Sequence, residues 1–275
     1  MTQTISSLTS MPFKAAENLR KLREARPLIH NITNFVVMNF TANILLATGA
    51  SPVMAHAENE VEEMVSFARA LLLNIGTLTD EWVNVMLKAG KKATELGLPI
   101  IFDPVGAGAT LLRTKASEKI LAETKVKIVR GNASEILALA GSKAKTRGVD
   151  SVASVEAATE QAVRLAKELG LPVAITGAED FITDGYHMVR VANGDPLMSV
   201  VTGTGCGATA VIAAFAAIDN DPVSSASTAL AYYGLAGEKA AAASTGPGSF
   251  VPSFLDALYN MTPEELQAGC RITEI

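Results

Sequence analysis

The chain of 275 residues is 49% hydrophobic and 19% charged, with a net charge of −5. That composition supports a large buried core and excludes disordered and collagen-like chains, and the acidic balance leaves no basic footprint for nucleic acid or an anionic membrane. The 2 cysteines, Cys206 and Cys270, lack metal-ligand spacing and the 3 histidines, His30, His56 and His187, form no sequence cluster, which argues against a zinc site and for a reducing, cytoplasmic setting.

Met1 to Ser10 is polar and uncharged rather than basic and then apolar, and no apolar run approaches the ~20 residues that span a bilayer, so neither export nor membrane insertion is expected. Phe13 to Arg26 carries Phe13, Ala16, Leu19 and Leu22 at helical spacing and reads as an opening surface helix. Pro27 to Ile32 is a short apolar strand, Val36 to Thr48 a helix stopped by Gly49, Ser51 to Met54 a second short run, and Glu58 to Arg69 a helix. Ala70 to Ile75 is the next strand. Thr79 caps a helix to Leu96, Pro99 to Phe102 is a strand, Thr114 to Thr124 a helix and Val126 to Arg130 a strand. Ser154 to Leu169 and Pro172 to Thr176 add another helix and strand, and Asp184-Gly185 joins two short runs between Asp180 and Ala192 as a hairpin.

Val200 to Ala210 reads as strand, tight glycine turn and helix start. Ala210 to Ile218, Pro222 to Ala243 and Ser249 to Tyr259 are helical, and the alanines at 240–243 suggest a close helix–helix contact. Continuous apolar strands alternating with helices are the signature of a parallel sheet buried on both faces, so the fold class is α/β. No linker or repeat divides the chain, which is expected to form a single domain over residues 1–275.

In such a sheet ligands bind beyond the carboxyl ends of the strands. Asp103 stands at one end, before Pro104-Val105-Gly106-Ala107-Gly108, and is read either as a Mg²⁺-region carboxylate or as a turn-initiating aspartate. Arg130-Gly131-Asn132 forms a second end. Asn132 and Glu135 have the spacing of a capping box, while Arg130 with a nearby carboxylate also suits nucleotide phosphates and a metal. Thr176-Gly177 forms a third, able to donate to a phosphate without adding charge. The loop Thr202-Gly203-Thr204-Gly205-Cys206 offers unpaired helix N–H groups to an anion. Cys206 is either a small buried hydrophobe or, with its pKa lowered by the helix terminus, a base. Together these residues make the inventory of a phosphoryl-transfer site, and the absence of GxxxxGK[ST] excludes a P-loop enzyme.

The ordered segments Pro27-Leu28-Ile29-His30-Asn31-Ile32-Thr33-Asn34, Gly49 to Met54, Leu73 to Leu78, Asp103 to Gly108, Arg130 to Asn132 and Thr202 to Cys206 resemble the hydroxyethylthiazole kinase family from about Pro27 to Phe250. The resemblance implies a ribokinase-like fold, a central mostly parallel sheet covered by helices on both faces. It implies ATP- and Mg²⁺-dependent phosphorylation of 4-methyl-5-(2-hydroxyethyl)thiazole in thiamine salvage, by homotrimers with sites between subunits. By the same resemblance Asn34, Val36, Met54 and Gly203 bind the thiazole, Arg130 and Thr176 bind ATP, and Asp103 and Glu135 serve the magnesium. Gly203, Thr204, Gly205 and Cys206 form the anion hole, and Cys206 takes the place of the aspartate base of related sugar kinases. An apolar pocket of Pro52, Val53, Met54 and Val36 suits a neutral aromatic ring, although Met54 also reads as core filler. The rivals are a pyrimidine kinase or an ATP-dependent repair dehydratase of the same fold, a thiol enzyme with Cys206 as nucleophile, and a ligand-binding protein without catalysis.

Overall fold

The computed structural model describes residues 10–141 and 155–275. The polar opening segment up to residue 9, and Ser154 at the expected start of a helix, lie outside the described residues. The chain runs α1 (Ser10–Ala25), β1 (Leu28–Ile32), α2 (Met38–Thr48), β2 (Ser51–Val53), α3 (Val61–Phe67), β3 (Ala70–Asn74), α4 (Asp80–Leu96) and β4 (Ile100–Asp103). There follow α5 (Leu111–Glu123), β5 (Val126–Asn132), α6 (Ala133–Gly141), α7 (Val155–Leu169), β6 (Val173–Thr176), β7 (Asp180–Thr183) and β8 (Met188–Val191). The chain closes with α8 (Thr204–Ala216), α9 (Pro222–Ala242), α10 (Pro247–Asn260), α11 (Pro263–Gly269) and β9 (Ile272–Glu274).

Local chemistry sets many of these boundaries. The Thr79 and Thr110 hydroxyls accept N–H groups of Trp82 and Arg113 and so begin α4 and α5. Gly49 and Gly97, both at positive φ, end α2 and α4 in the left-handed conformation that a glycine adopts without steric cost. Thr110 starts α5 ahead of the expected Thr114.

The strands form one sheet in the order β2-β1-β3-β4-β5-β6-β7-β8-β9. Pairs from β2 to β6 are parallel, and β6 to β9 are antiparallel. Alternate residues of a strand feed opposite layers: Ala70 and Leu72 of β3 pack with α1, α2 and α8 to α11, whereas Leu71 and Leu73 pack with α3 to α7. The sheet is therefore apolar on both faces, as the continuous hydrophobic strands require. The chain leaves β1 for β2 on one side and returns to β3 on the other. This reversal opens a crevice beyond the carboxyl ends of β1 and β3, where ligands bind in open α/β sheets.

Two expectations are corrected. Val200-Val201 is not a strand; Pro196–Val200 is a 3₁₀ turn whose cap is Asp195, its carboxylate accepting the Leu197 N–H at 2.8 Å. Proline at the first helical position favours that turn, and Val200 is left exposed instead of paired in the sheet. Of the alanines at 240–243, only Ala240 is fully buried, while Ala242 and Ala243 face solvent, so the close contact is confined to the start of the run. The structure adds α11 and β9, and α6 follows directly on the Asn132–Glu135 capping box. The signal for α11 was present in Thr262-Pro263-Glu264-Glu265, which forms a complete capping box.

Candidate active site

At the carboxyl edge of the sheet, α8 starts directly above β3 and β4 and brings the Gly203 loop to the strand ends. Gly203 is the N-cap at φ +89°, a conformation that disfavours a side chain, and Cβ there would also stand 3.0 Å from Phe40 and Val37. Gly205 lets the helix lie over Arg130, since Cβ there would stand 3.0 Å from its Nη2. The Thr204 hydroxyl is turned back onto the Met198 and Val201 carbonyls at 2.8 and 3.0 Å, so this residue offers a ligand its backbone rather than its side chain. The first N–H groups of α8 have no acceptor within the helix and present a neutral anion cradle.

Below the cradle lies a buried polar network. Asp103 is fully buried; its Oδ2 accepts from Thr209 Oγ1 at 2.7 Å and Asn74 Nδ2 at 2.9 Å, and faces Arg130 Nη1 at 3.5 Å. Burial pushes the Asp103 carboxyl up to about 6 against the pull of Arg130. Burial opposes the Arg130 charge too, but Asp103 and then Glu135 more than restore it. Arg130 Nη2 also donates to Thr176 Oγ1, and both residues line a cavity of about 710 Å³ together with Thr204, Gly205, Asp180 and Tyr233. That volume is in the range of small-ligand sites.

Asp103 and Glu135 differ in what they have free. Glu135 Oε2 accepts the Asn132 N–H and Asn132 Oδ1 the Glu135 N–H, at 2.8 and 2.9 Å, so the capping box is real. Its Oε1 also accepts the Gly106 N–H at 2.8 Å, which ties the glycine loop after β4 to the start of α6. The buried Asp103 Oδ1 has no hydrogen-bond partner. An open carboxylate oxygen with a second acid nearby fits a magnesium ion, which takes one or two carboxylates with phosphate oxygens and water. Among the described residues no group of three or more acids, cysteines or histidines is arranged to hold a metal by itself.

Cys206 stands in the first turn of α8, and its Sγ is met by Asn74 Nδ2 at 3.2 Å and Asn34 Nδ2 at 3.5 Å. The lowered pKa expected at a helix start is not found. Burial, and next the Asp103 charge, push the thiol up to about 11, outweighing the two amides and Arg130. A protonated thiol held by asparagines is a poor nucleophile, which removes the main support for a thiol enzyme.

Of the residues expected to bind the thiazole, Asn34 is buried and bonded to Asn74 at 2.8 Å, and Gly203 lies at the cradle. Val36 is 65% exposed in the turn after β1, and Met54 half-buried after β2; neither lines the 710 Å³ cavity. Asn74, Thr209 and Asp180 were not singled out from sequence. Each carried a signal: Asn74 ends an apolar strand, Thr209 is a hydroxyl in an apolar helix, and Asp180 opens a hairpin beside Thr176-Gly177.

Residues 19–264 match the sequence profile of the Hydroxyethylthiazole kinase family. The chain is 60% identical over 267 residues to the hydroxyethylthiazole kinase of Desulfotalea psychrophila, covering 97% of this chain and 98% of that one. It is 51% identical over 259 residues to that of Moorella thermoacetica, covering 94% and 97%. Among solved structures, the hydroxyethylthiazole kinase protein of Pyrococcus horikoshii superposes with a TM-score of 0.89 at 45% identity, over 95% of this chain and 98% of that one. The pyridoxal kinase of Staphylococcus aureus in complex with ADP, at 16% identity, superposes with a TM-score of 0.63 over 90% and 99%, a likeness of fold alone, and the fold is ribokinase-like.

Proposed function

The chain belongs to the hydroxyethylthiazole kinase family, and from that premise we propose that this kinase transfers the γ-phosphoryl group of ATP to the hydroxyl of 4-methyl-5-(2-hydroxyethyl)thiazole, as a step of thiamine salvage. The observation that carries the reading is the buried network in which Asn34, Asn74, Asp103 and Cys206 meet directly beneath the free N–H groups of α8.

Phosphoryl transfer passes through a loose transition state, so positioning and charge stabilisation dominate. The N–H groups of 203–206 hold the transferred phosphoryl oxygens without adding a side-chain charge. Arg130 and Thr176, joined to each other, contact the phosphate tail from the cavity wall. Asp103 and Glu135 would hold the magnesium ion, which when bound neutralises phosphate charge. Asn34, Val36, Met54 and Gly203 hold the acceptor alcohol. Cys206, in its thiolate form, accepts the hydroxyl proton late in the transfer; because the thiol is mostly protonated near neutrality, that general-base contribution is modest.

The protein acts as a single kinase domain and assembles as a cytoplasmic homotrimer whose acceptor site is shared between neighbours. Exposed Phe35, Val36, Leu46 and Phe67 support that assembly, since large apolar side chains at the surface favour burial against a partner. Among the described residues no helix is long and apolar enough to cross a membrane. The test is to incubate the protein with ATP, Mg²⁺ and a panel of thiazole and pyrimidine alcohols and to seek phosphorylated products by mass spectrometry. A phosphorylated pyrimidine with untouched thiazole would refute the substrate.

A further inference from the structure

We infer that Asn74 is a positioning residue that holds the Cys206 sulfur and the Asp103 carboxylate in register with each other for the transfer. The inference rests on the kinase reading of the site given above and names a member of it that neither the motifs nor the family likeness assigns.

Asn74 is the last residue of β3, and parallel pairing sets it directly across from Asp103, the last residue of β4. It is fully buried, and each end of its amide is committed inside the site. Oδ1 accepts from Asn34 Nδ2 at 2.8 Å and from the Gly76 N–H at 2.9 Å. A backbone N–H only donates, so the oxygen end is fixed toward Gly76 and the nitrogen end has one orientation left. Nδ2 then sends one hydrogen to Asp103 Oδ2 at 2.9 Å and the other to Cys206 Sγ at 3.2 Å. Gly76 leaves room for this arrangement, because Cβ there would stand 2.6 Å from Asn34 Nδ2.

A planar amide with both hydrogens engaged is a rigid spacer. It links β3, β4 and α8 at the point where acceptor, thiol and carboxylate must be aligned, and any rotation of Asn74 displaces sulfur and carboxylate together. Asn34 repeats the pattern one strand away, with one hydrogen on Asn74 Oδ1 and one on Sγ. A residue that merely satisfied Asp103 would need only the first of the two Asn74 bonds.

The test is a double-mutant cycle on the full chain, with steady-state kinetics for ATP and for whichever alcohol the parent phosphorylates. Asn74→Ala is expected to lower kcat at least about tenfold with KM for ATP within about twofold, since misplacement of reacting groups lowers turnover rather than nucleotide affinity. In a Cys206→Ala background the same change is expected to cost at least about threefold less than in the parent, because the sulfur it positions is gone and only its bond to Asp103 remains to be lost. Equal losses in both backgrounds, or a loss confined to KM for ATP, would overturn the inference and leave Asn74 as a partner of Asp103. If Asn74→Ala does not fold, Asn74→Asp keeps an acceptor oxygen and, even when it shares a proton with Asp103, has one O–H where the amide has two N–H groups, so it cannot bridge sulfur and carboxylate together; parental kcat in that variant would overturn the inference as well. Parental turnover of Cys206→Ala would remove the base and its bridge together, whereas a slow Cys206→Ala with an undiminished Asn74 penalty would remove the bridge alone. Phosphorylation of a different alcohol would refute the proposed substrate and leave the cycle decisive on that acceptor.

Discussion

Replacing Cys206 tests how much of this kinase's rate depends on a base. With the thiol pushed up to about 11, some four pKa units above neutrality, the thiolate fraction at pH 7 is about 10⁻⁴. General-base catalysis contributes about 10²–10⁴-fold, and a base that is strong when ionised but rarely ionised realises only the lower part of that range. Cys206→Ala should therefore lose no more than about 10²-fold in kcat while KM for ATP is unchanged, because the anion cradle is built from backbone N–H groups. Cys206→Asp should turn over at least as fast as the parent. The N–H donors of Asn34 and Asn74 are already aimed at the position such a carboxylate would take, and a carboxyl ordinarily ionises well below a thiol. The assay is ADP release with the acceptor alcohol from pH 6 to 9.5. Parental kcat should keep rising with pH as the thiol begins to ionise, whereas that of Cys206→Asp should level off at lower pH than the parent's, because a carboxyl ionises below a thiol. An alanine variant as fast as the parent would make Cys206 a packing residue. A folded but inactive aspartate variant would mean that Asp103 nearby excludes a second negative charge.

Glu135→Ala should cost about 1–2 kcal/mol of stability, through the capping box and the Gly106 tie, and reduce turnover more than about 10²-fold; comparable losses of melting temperature and activity would return it to a capping role. Asp180 is raised by burial from 3.8 to about 7, so the folded state holds its proton more tightly than the unfolded chain and stability falls as pH rises through that window. Asp180→Asn, which cannot ionise, should gain up to about 4 kcal/mol over the parent between pH 4 and pH 8, and a pH-independent difference in melting temperature would refute this. Sedimentation velocity should find a trimer at assay concentrations, and a stable, fully active monomer would dismiss the shared site.

Pattern-level features were legible because they depend on burial alone. A strand such as Ala70 to Asn74 must be apolar throughout if helices cover both its faces, and the alternation of such runs with helical periodicity identifies the fold. Asp103, Arg130 and Thr176 were legible because polar residues at the ends of apolar strands have few structural reasons to be there. The Val200-Val201 segment was misread because an apolar pair carries no sign of whether a neighbouring strand is available, and here Asp195 and Pro196 set a 3₁₀ turn first. The glycines at 205 and 207 suggested a loop. They lie inside α8, at the places where Cβ would meet Arg130 in one case and Ile44 in the other, so close packing rather than chain reversal explains them.

The thiol shows the limit of reasoning from one local effect. A helix N-terminus alone would lower its pKa, and the spacing from Gly203 places Cys206 there correctly. The opposing influence comes first from the desolvation that packing imposes and next from Asp103, distant in sequence and brought beneath α8 by the β3–β4 register. The register that raises the thiol also supplies its restraint, since it sets Asn74 beside Asp103 and leaves one amide hydrogen for the sulfur. A cradle of neutral N–H groups over a mostly protonated thiol keeps negative charge low until the phosphates arrive. That suits a loose transfer in which the acceptor proton leaves late, and it accords with the neutral donors, Asn34, Asn74 and Thr209, that bond directly to Cys206 and Asp103.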